Sequence, residues 1–168
     1  MTGPEPTLTA RARQAAESVV DPELPMLTLA DLGVLRSVEL DDDRAVVTIT
    51  PTYTGCPALV TMKADLRLAL AAAGFPDAEI RTTLSPAWTT DWITEEGRRA
   101  LHEHGIAPPS PVGARTVTLQ LLDRPPDPAC PRCGSTDTRV VSRFGASACT
   151  SQHACSSCAE PFDKVKEL

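Results

Sequence analysis

The 168-residue chain is 42% hydrophobic and 23% charged, with a formal net charge of −6. That is the balance of a soluble globular protein, and it gives the whole molecule no electrostatic reason to seek nucleic acid. No apolar run reaches membrane-spanning length, so neither nucleic acid nor membrane is an expected partner, whereas proteins and metals are.

Residues 8–20 carry Ala12, Ala15, Ala16, Val19 and Val20 at helical spacing, with Thr7 and Thr9 as candidate N-caps, and Asp21-Pro22 ends that helix. Residues 34–38 and 45–50 are rich in β-branched residues and flank the acidic run Asp41-Asp-Asp43, which predicts a hairpin. From residue 57 to 73 the pattern turns helical. Leu59, Val60, Met62, Leu66, Ala69, Leu70 and Ala73 recur at intervals of three and four, Pro57 suits a first turn and Gly74 a C-terminal cap. A strand over 78–84, a short helix over 95–104 and a strand over 115–122 complete the first domain, placed at residues 1–122. The expected fold class is α+β, a small mixed sheet with helices on one face.

Residues 123–129, Asp-Arg-Pro-Pro-Asp-Pro-Ala, cannot continue a helix or a central strand and read as a linker. The tail, residues 130–168, holds Cys130-Pro-Arg-Cys133 and Cys155-Ser-Ser-Cys158, two CxxC knuckles separated by twenty-one residues. That is the spacing of a structural tetrathiolate site, for which zinc is the expected metal and iron the redox-active competitor. Strand-like segments at 138–142 and 162–166 place the knuckles in a zinc ribbon. A tail this short buries too little on its own, so metal binding is expected to supply most of its folding free energy.

Outside the knuckles, Cys56 follows a strand and opens the long helix, in a Thr52-Tyr-Thr-Gly-Cys56 loop, where oriented amides favour a thiolate. It reads as a reactive or metal-binding thiol, with an inert packing cysteine as the alternative. Asp21 and Glu23, held by Pro22, would add oxygen ligands or a proton acceptor if their loop folded over Cys56. His102 and His104 lie two apart on a helix and cannot readily share a metal, and His153 is not needed while both knuckles are complete. Cys149 is expected to pack beside the tail metal. Trp88 and Trp92 offer either an exposed docking patch or a plug on the core.

Asp21-Pro-Glu-Leu-Pro-Met-Leu-Thr-Leu-Ala-Asp-Leu-Gly-Val34 followed by Thr50-Pro-Thr-Tyr-Thr-Gly-Cys-Pro57 resembles the iron–sulfur assembly-factor domain of SufT-like and cytosolic iron–sulfur targeting proteins. With Pro86-Ala-Trp-Thr-Thr-Asp-Trp92, Gly105-Ile-Ala-Pro-Pro109, the first knuckle and Ser142-Arg-Phe-Gly-Ala-Ser-Ala-Cys149 through Glu160-Pro-Phe162, the chain is similar to the PaaD family, encoded with the bacterial phenylacetyl-CoA epoxidase. The resemblance implies a cytoplasmic accessory protein of aerobic phenylacetate breakdown, assisting assembly of an iron–sulfur cluster or di-iron centre in an epoxidase subunit. It makes Cys56 the functional thiol; as a transient ligand of iron or a cluster, one cysteine cannot hold its cargo alone, so the expected site is a shared one, across a homodimer. Asp21 and Glu23 lie in the same signature, and Thr52 and Thr54 orient the loop through hydrogen bonds to its backbone. The zinc ribbon and the Trp88/Trp92 segment would dock the client. Direct catalysis is not expected: the chain lacks paired Glu and Glu-x-x-His helices and any dinucleotide fingerprint. The rival readings are a permanent structural subunit of the epoxidase and an electron-carrying iron protein built on the four-cysteine tail.

Overall fold

A computed structural model describes residues 7–111 and 127–167, and the chain divides between Trp88 and Thr89 into two units. In the first, the Thr7 hydroxyl accepts the Ala10 amide at 3.2 Å and starts α1, Leu8–Glu17, which buries Ala12 and Ala16 one turn apart. The helix stops short of Val20 because the chain there has another partner: Val20 bridges Thr28, and the Leu29 amide donates to the Val19 carbonyl at 2.8 Å.

The predicted hairpin forms as β1, Leu35–Asp41, and β2, Arg44–Ile49, with Asp41 opposite Arg44 across a two-residue turn in which Asp42 takes a φ of 54°. β3, Glu79–Thr82, runs parallel to β2, so the sheet order is β1-β2-β3. As the central strand, β2 buries Ala45, Val46, Val47 and Ile49, which explains its continuous apolar run. A parallel pair needs a crossover, and α2, Leu59–Ala72, supplies it. Met62, Leu66 and Leu70 recur every four residues on its buried face, and Gly74, at φ 97°, turns the chain out of the helix. α1 packs against both α2 and β1, and the Arg11 guanidinium donates to the Ala73 carbonyl at 2.6 Å, at the negative end of α2.

The second unit opens on a 3₁₀ turn, Thr90–Trp92, and α3, Glu95–Glu103, whose Thr94 cap accepts the Gly97 amide at 3.0 Å. Arg98 fixes this helix by donating to the Thr90 carbonyl at 2.8 Å and the Pro109 carbonyl at 2.6 Å. β4, Ile106–Ala107, β5, Thr138–Ser142, β6, Thr150–Cys155, and β7, Pro161–Val165, form a sheet ordered β4-β7-β6-β5, antiparallel except for the β4/β7 pair. α3 therefore groups with the ribbon sheet, because β4 directly after it pairs with β7. The strand expected over 115–122 and most of the 123–129 linker lie outside the described residues. Ala107, Cys130, Cys155 and Phe162 form one buried cluster, so two of the thiols belong to the core of this unit.

Candidate functional site

Cys56 sits in the β2–α2 crossover. Gly55, at φ 90°, bends the loop back, and the Cys56 carbonyl accepts the Leu59 amide at 3.2 Å, which seats a buried thiol at the start of the helix. The loop carrying Asp21 and Glu23 reaches the same corner. Asp21 is buried and its Oδ1 accepts the amides of Glu23 and Leu24, each at 2.8 Å, so it organises its own loop as well as charging the corner.

The electrostatics run opposite to the expectation from helix geometry. Burial pushes the Cys56 thiol up, the Ala58 amide pulls it down, and the nearby Glu23 and Asp21 charges raise it again, with the Leu59 amide a weaker counterweight. The net direction is upward, so Cys56 rests as a neutral thiol; the helix start does favour the thiolate, but desolvation and two carboxylates outweigh it. Asp21 is itself raised by burial against its Leu24 and Glu23 amide bonds, and Glu23 by burial and then by the charge of Asp21. The three groups are electrostatically coupled, yet among the described residues only the tail thiols close into a metal-ligand cluster. Asp21, Glu23 and Cys56 lie together as a charged corner around a buried thiol.

The tail thiols are gathered by backbone geometry. In the first knuckle the Gly134 amide donates to the Cys130 carbonyl at 2.8 Å and the Cys130 amide to the Ser135 carbonyl at 2.9 Å, with Gly134 at φ 74°. In the second, the Cys155 amide donates to the Glu160 carbonyl at 2.9 Å, and Ala159 takes the corresponding left-handed conformation at φ 60°. Cys130 and Cys158 Sγ atoms are 3.8 Å apart, Cys133 and Cys155 3.6 Å, and all four lie within 4.8 Å of one another. A tetrahedron of sulfurs about 2.3 Å from a central ion has edges of about 3.8 Å, so this donor set fits one tetrahedral soft cation. The Cys158 amide helps draw the Cys155 thiol down to about 7, while the neighbouring thiols push Cys158 up to about 12 and Cys133 up as well, so the four share their protons and a bound cation would displace them. Four-cysteine metal binding follows from this geometry.

Other expected site residues are placed differently. Trp88 is buried and its Nε1 donates to the Leu32 carbonyl at 3.0 Å; it plugs the core of the first unit and is no docking surface, because its ring and its N–H are both satisfied inside. Trp92 is half-buried and falls in the other unit. Thr52 is half-buried and Thr54 exposed, and neither side chain makes a hydrogen bond among the described residues, so the loop is oriented by Gly55 and the start of α2 instead. His153 stacks on Phe162 with ring centroids 5.6 Å apart and its Nε2 lies 3.0 Å from Ser151 Oγ, away from metal duty. Cys149 packs in the fold, 2.9 Å from Ser147 Oγ, outside the thiol cluster. The residue pattern gives no warning of Ala159, since glycine is the usual sign of such a turn.

Comparison with known proteins adds names to these parts. Residues 9–81 match the family described as iron–sulfur cluster assembly protein, and residues 114–166 match the PaaD zinc beta ribbon domain. A protein of Escherichia coli (strain K12) named as one of the subunits of 1,2-phenylacetyl-CoA epoxidase is 42% identical over 88% of this chain and 86% of its own length. The Fe-S protein maturation auxiliary factor YitW of Bacillus subtilis (strain 168) is 32% identical over 58% of this chain and 96% of its own length. A crystal structure of a domain of unknown function, DUF59, from Bacillus anthracis superposes with a TM-score of 0.52 at 26% identity, over 56% of this chain and 91% of that one.

Proposed function

The chain belongs to the PaaD family, and we propose that it is an accessory maturation factor for a phenylacetyl-CoA epoxidase, assisting assembly of an iron–sulfur cluster or di-iron centre in a client subunit. The observation that carries this reading is the buried, neutral Cys56 thiol beside the Asp21 and Glu23 carboxylates, in the half of the chain that relatives named as Fe-S protein maturation factors share. A neutral thiol holds no cation at rest. An arriving iron ion or cluster displaces the proton, and the neighbouring carboxylates then offset its positive charge. Because these donors do not close into a cage by themselves, the remaining ligands come from a second copy of the chain or from the client, and a site so incomplete is suited to handing its cargo on.

The tail thiols Cys130, Cys133, Cys155 and Cys158 hold zinc, which cross-links the two knuckles and supplies no redox chemistry. None of the six cysteines forms a disulfide, in keeping with a reducing, cytoplasmic setting. The ribbon, with Trp92 at the start of its unit, serves client docking, and turnover of phenylacetyl-CoA belongs to the epoxidase itself.

The test is Cys56→Ala in cells that rely on the epoxidase, with iron measured in the purified client subunits. Loss of client iron with the variant still folded is expected. Full client loading would refute the maturation role, and co-purification of the chain at fixed stoichiometry with mature epoxidase would establish the structural role instead.

A further inference from the structure

The ribbon sheet carries a groove of about 680 Å³ that neither the thiol cluster nor Cys56 uses. Strand register explains its lining. Val140 of β5 pairs with His153 of β6, and Ser151 of β6 pairs with Lys164 of β7, so these four side chains share one face of the sheet. The floor is built rather than incidental: His153 and Lys164 are 4% and 6% exposed, with His153 held by Ser151 and Lys164 by Glu167 at 2.6 Å. Over this floor stand Arg143, Lys166 and Phe144.

Phe144 is the informative wall. It is 70% exposed, so its ring adds little to the core, and the Lys166 ammonium lies 4.4 Å from the ring centroid. The charges are also uneven. Among the described lining residues Glu167 pairs with Lys164, and Arg143 and Lys166, whose ammonium also donates to the Ala148 carbonyl at 2.8 Å, outnumber Asp127, a local positive excess in a chain of net charge −6. A volume within the usual range for small-ligand pockets, a few convergent donors and an exposed ring beside them define a ligand class.

We propose that this groove binds a small organic anion carrying a flat ring. Arg143 and Lys166 hold the anionic group, the Ser151 hydroxyl adds a hydrogen bond, and the ring lies against Phe144 and Val140. The site is independent of the maturation role argued for Cys56.

The experiment is NMR titration of the full, zinc-loaded chain with ADP, benzoate and inorganic phosphate, following Phe144, Ser151 and His153. ADP binding with benzoate silent identifies a phosphate-borne ring, and the reverse a carboxylate-borne one. Either result, with phosphate alone at least about tenfold weaker, supports the proposal. Phe144→Ala and Arg143→Glu, both at exposed positions, should each weaken the binding by about tenfold. No saturable shift with either ring-bearing anion, equal affinity for phosphate, or unchanged binding in both variants would overturn it.

Discussion

At Cys56, helix geometry and burial pull in opposite directions, and burial wins. Two outcomes follow for that residue. Glu23→Gln removes a charge that raises the thiol without disturbing the Asp21 turn, so alkylation of Cys56 at neutral pH should speed up a few-fold; an unchanged rate would mean that the two groups are not coupled. Because the thiol is raised above its ordinary value and metal binding displaces its proton, iron affinity should climb as pH rises, about tenfold per unit while the thiol stays protonated. Competition titrations across that range read the slope. In the knuckles, Gly134 sits at φ 74° with open space around it, so Gly134→Ala costs backbone strain alone, about 1 kcal/mol in chemical denaturation. The position of Cys56 was legible in the sequence, since a strand, a Gly-Cys-Pro loop and a helix follow one another there. The direction of its pKa was not, because desolvation and the approach of Glu23 and Asp21 are set by tertiary packing. Trp88 is a similar case: nothing local distinguishes a tryptophan that caps the Leu32 carbonyl from one that faces a partner.

Among the elements, α2 shows how far periodicity reaches. Leu66 is fully buried and Leu68, two residues on, is 69% exposed, so Leu66→Ala should cost about 3 kcal/mol and Leu68→Ala under about 0.5 kcal/mol in denaturant unfolding. Similar costs for both would mean that the helix is rotated from the orientation described. The helix and the β1/β2 hairpin were legible because each has a strong local signal: apolar residues at i, i+4 and i+8, or two β-branched runs around a short acidic turn. β6 was not. Thr150-Ser-Gln-His-Ala-Cys155 has no apolar run, and its strand conformation comes from ladders on both edges, to β5 and β7. β4 is two residues long and exists only through its pairing with β7, a long-range contact that leaves no local trace, so sequence order alone cannot group α3 with the ribbon sheet.

On the scale of the whole molecule, the chain joins a unit whose core is mainly aliphatic to one whose core includes Cys130 and Cys155. Their stabilities should therefore separate. A zinc chelator would remove the ion proposed for the four thiols, so hydrogen exchange in β5, β6 and β7 should rise toward that of an unfolded chain while β1, β2 and α2 stay protected. Equal loss in both units would show that the first cannot stand without the second. Among the described residues no helix is long and apolar enough to cross a membrane. In the proposed function the metal of the tail is structural and the cargo meets Cys56. Iron and zinc content of protein purified without oxygen, compared between the natural chain and Cys56→Ala, tests it most directly. Zinc should stay at one per chain in both, and substoichiometric iron should disappear with Cys56. Iron retained in full by Cys56→Ala would place the cargo on the tail thiols and contradict it.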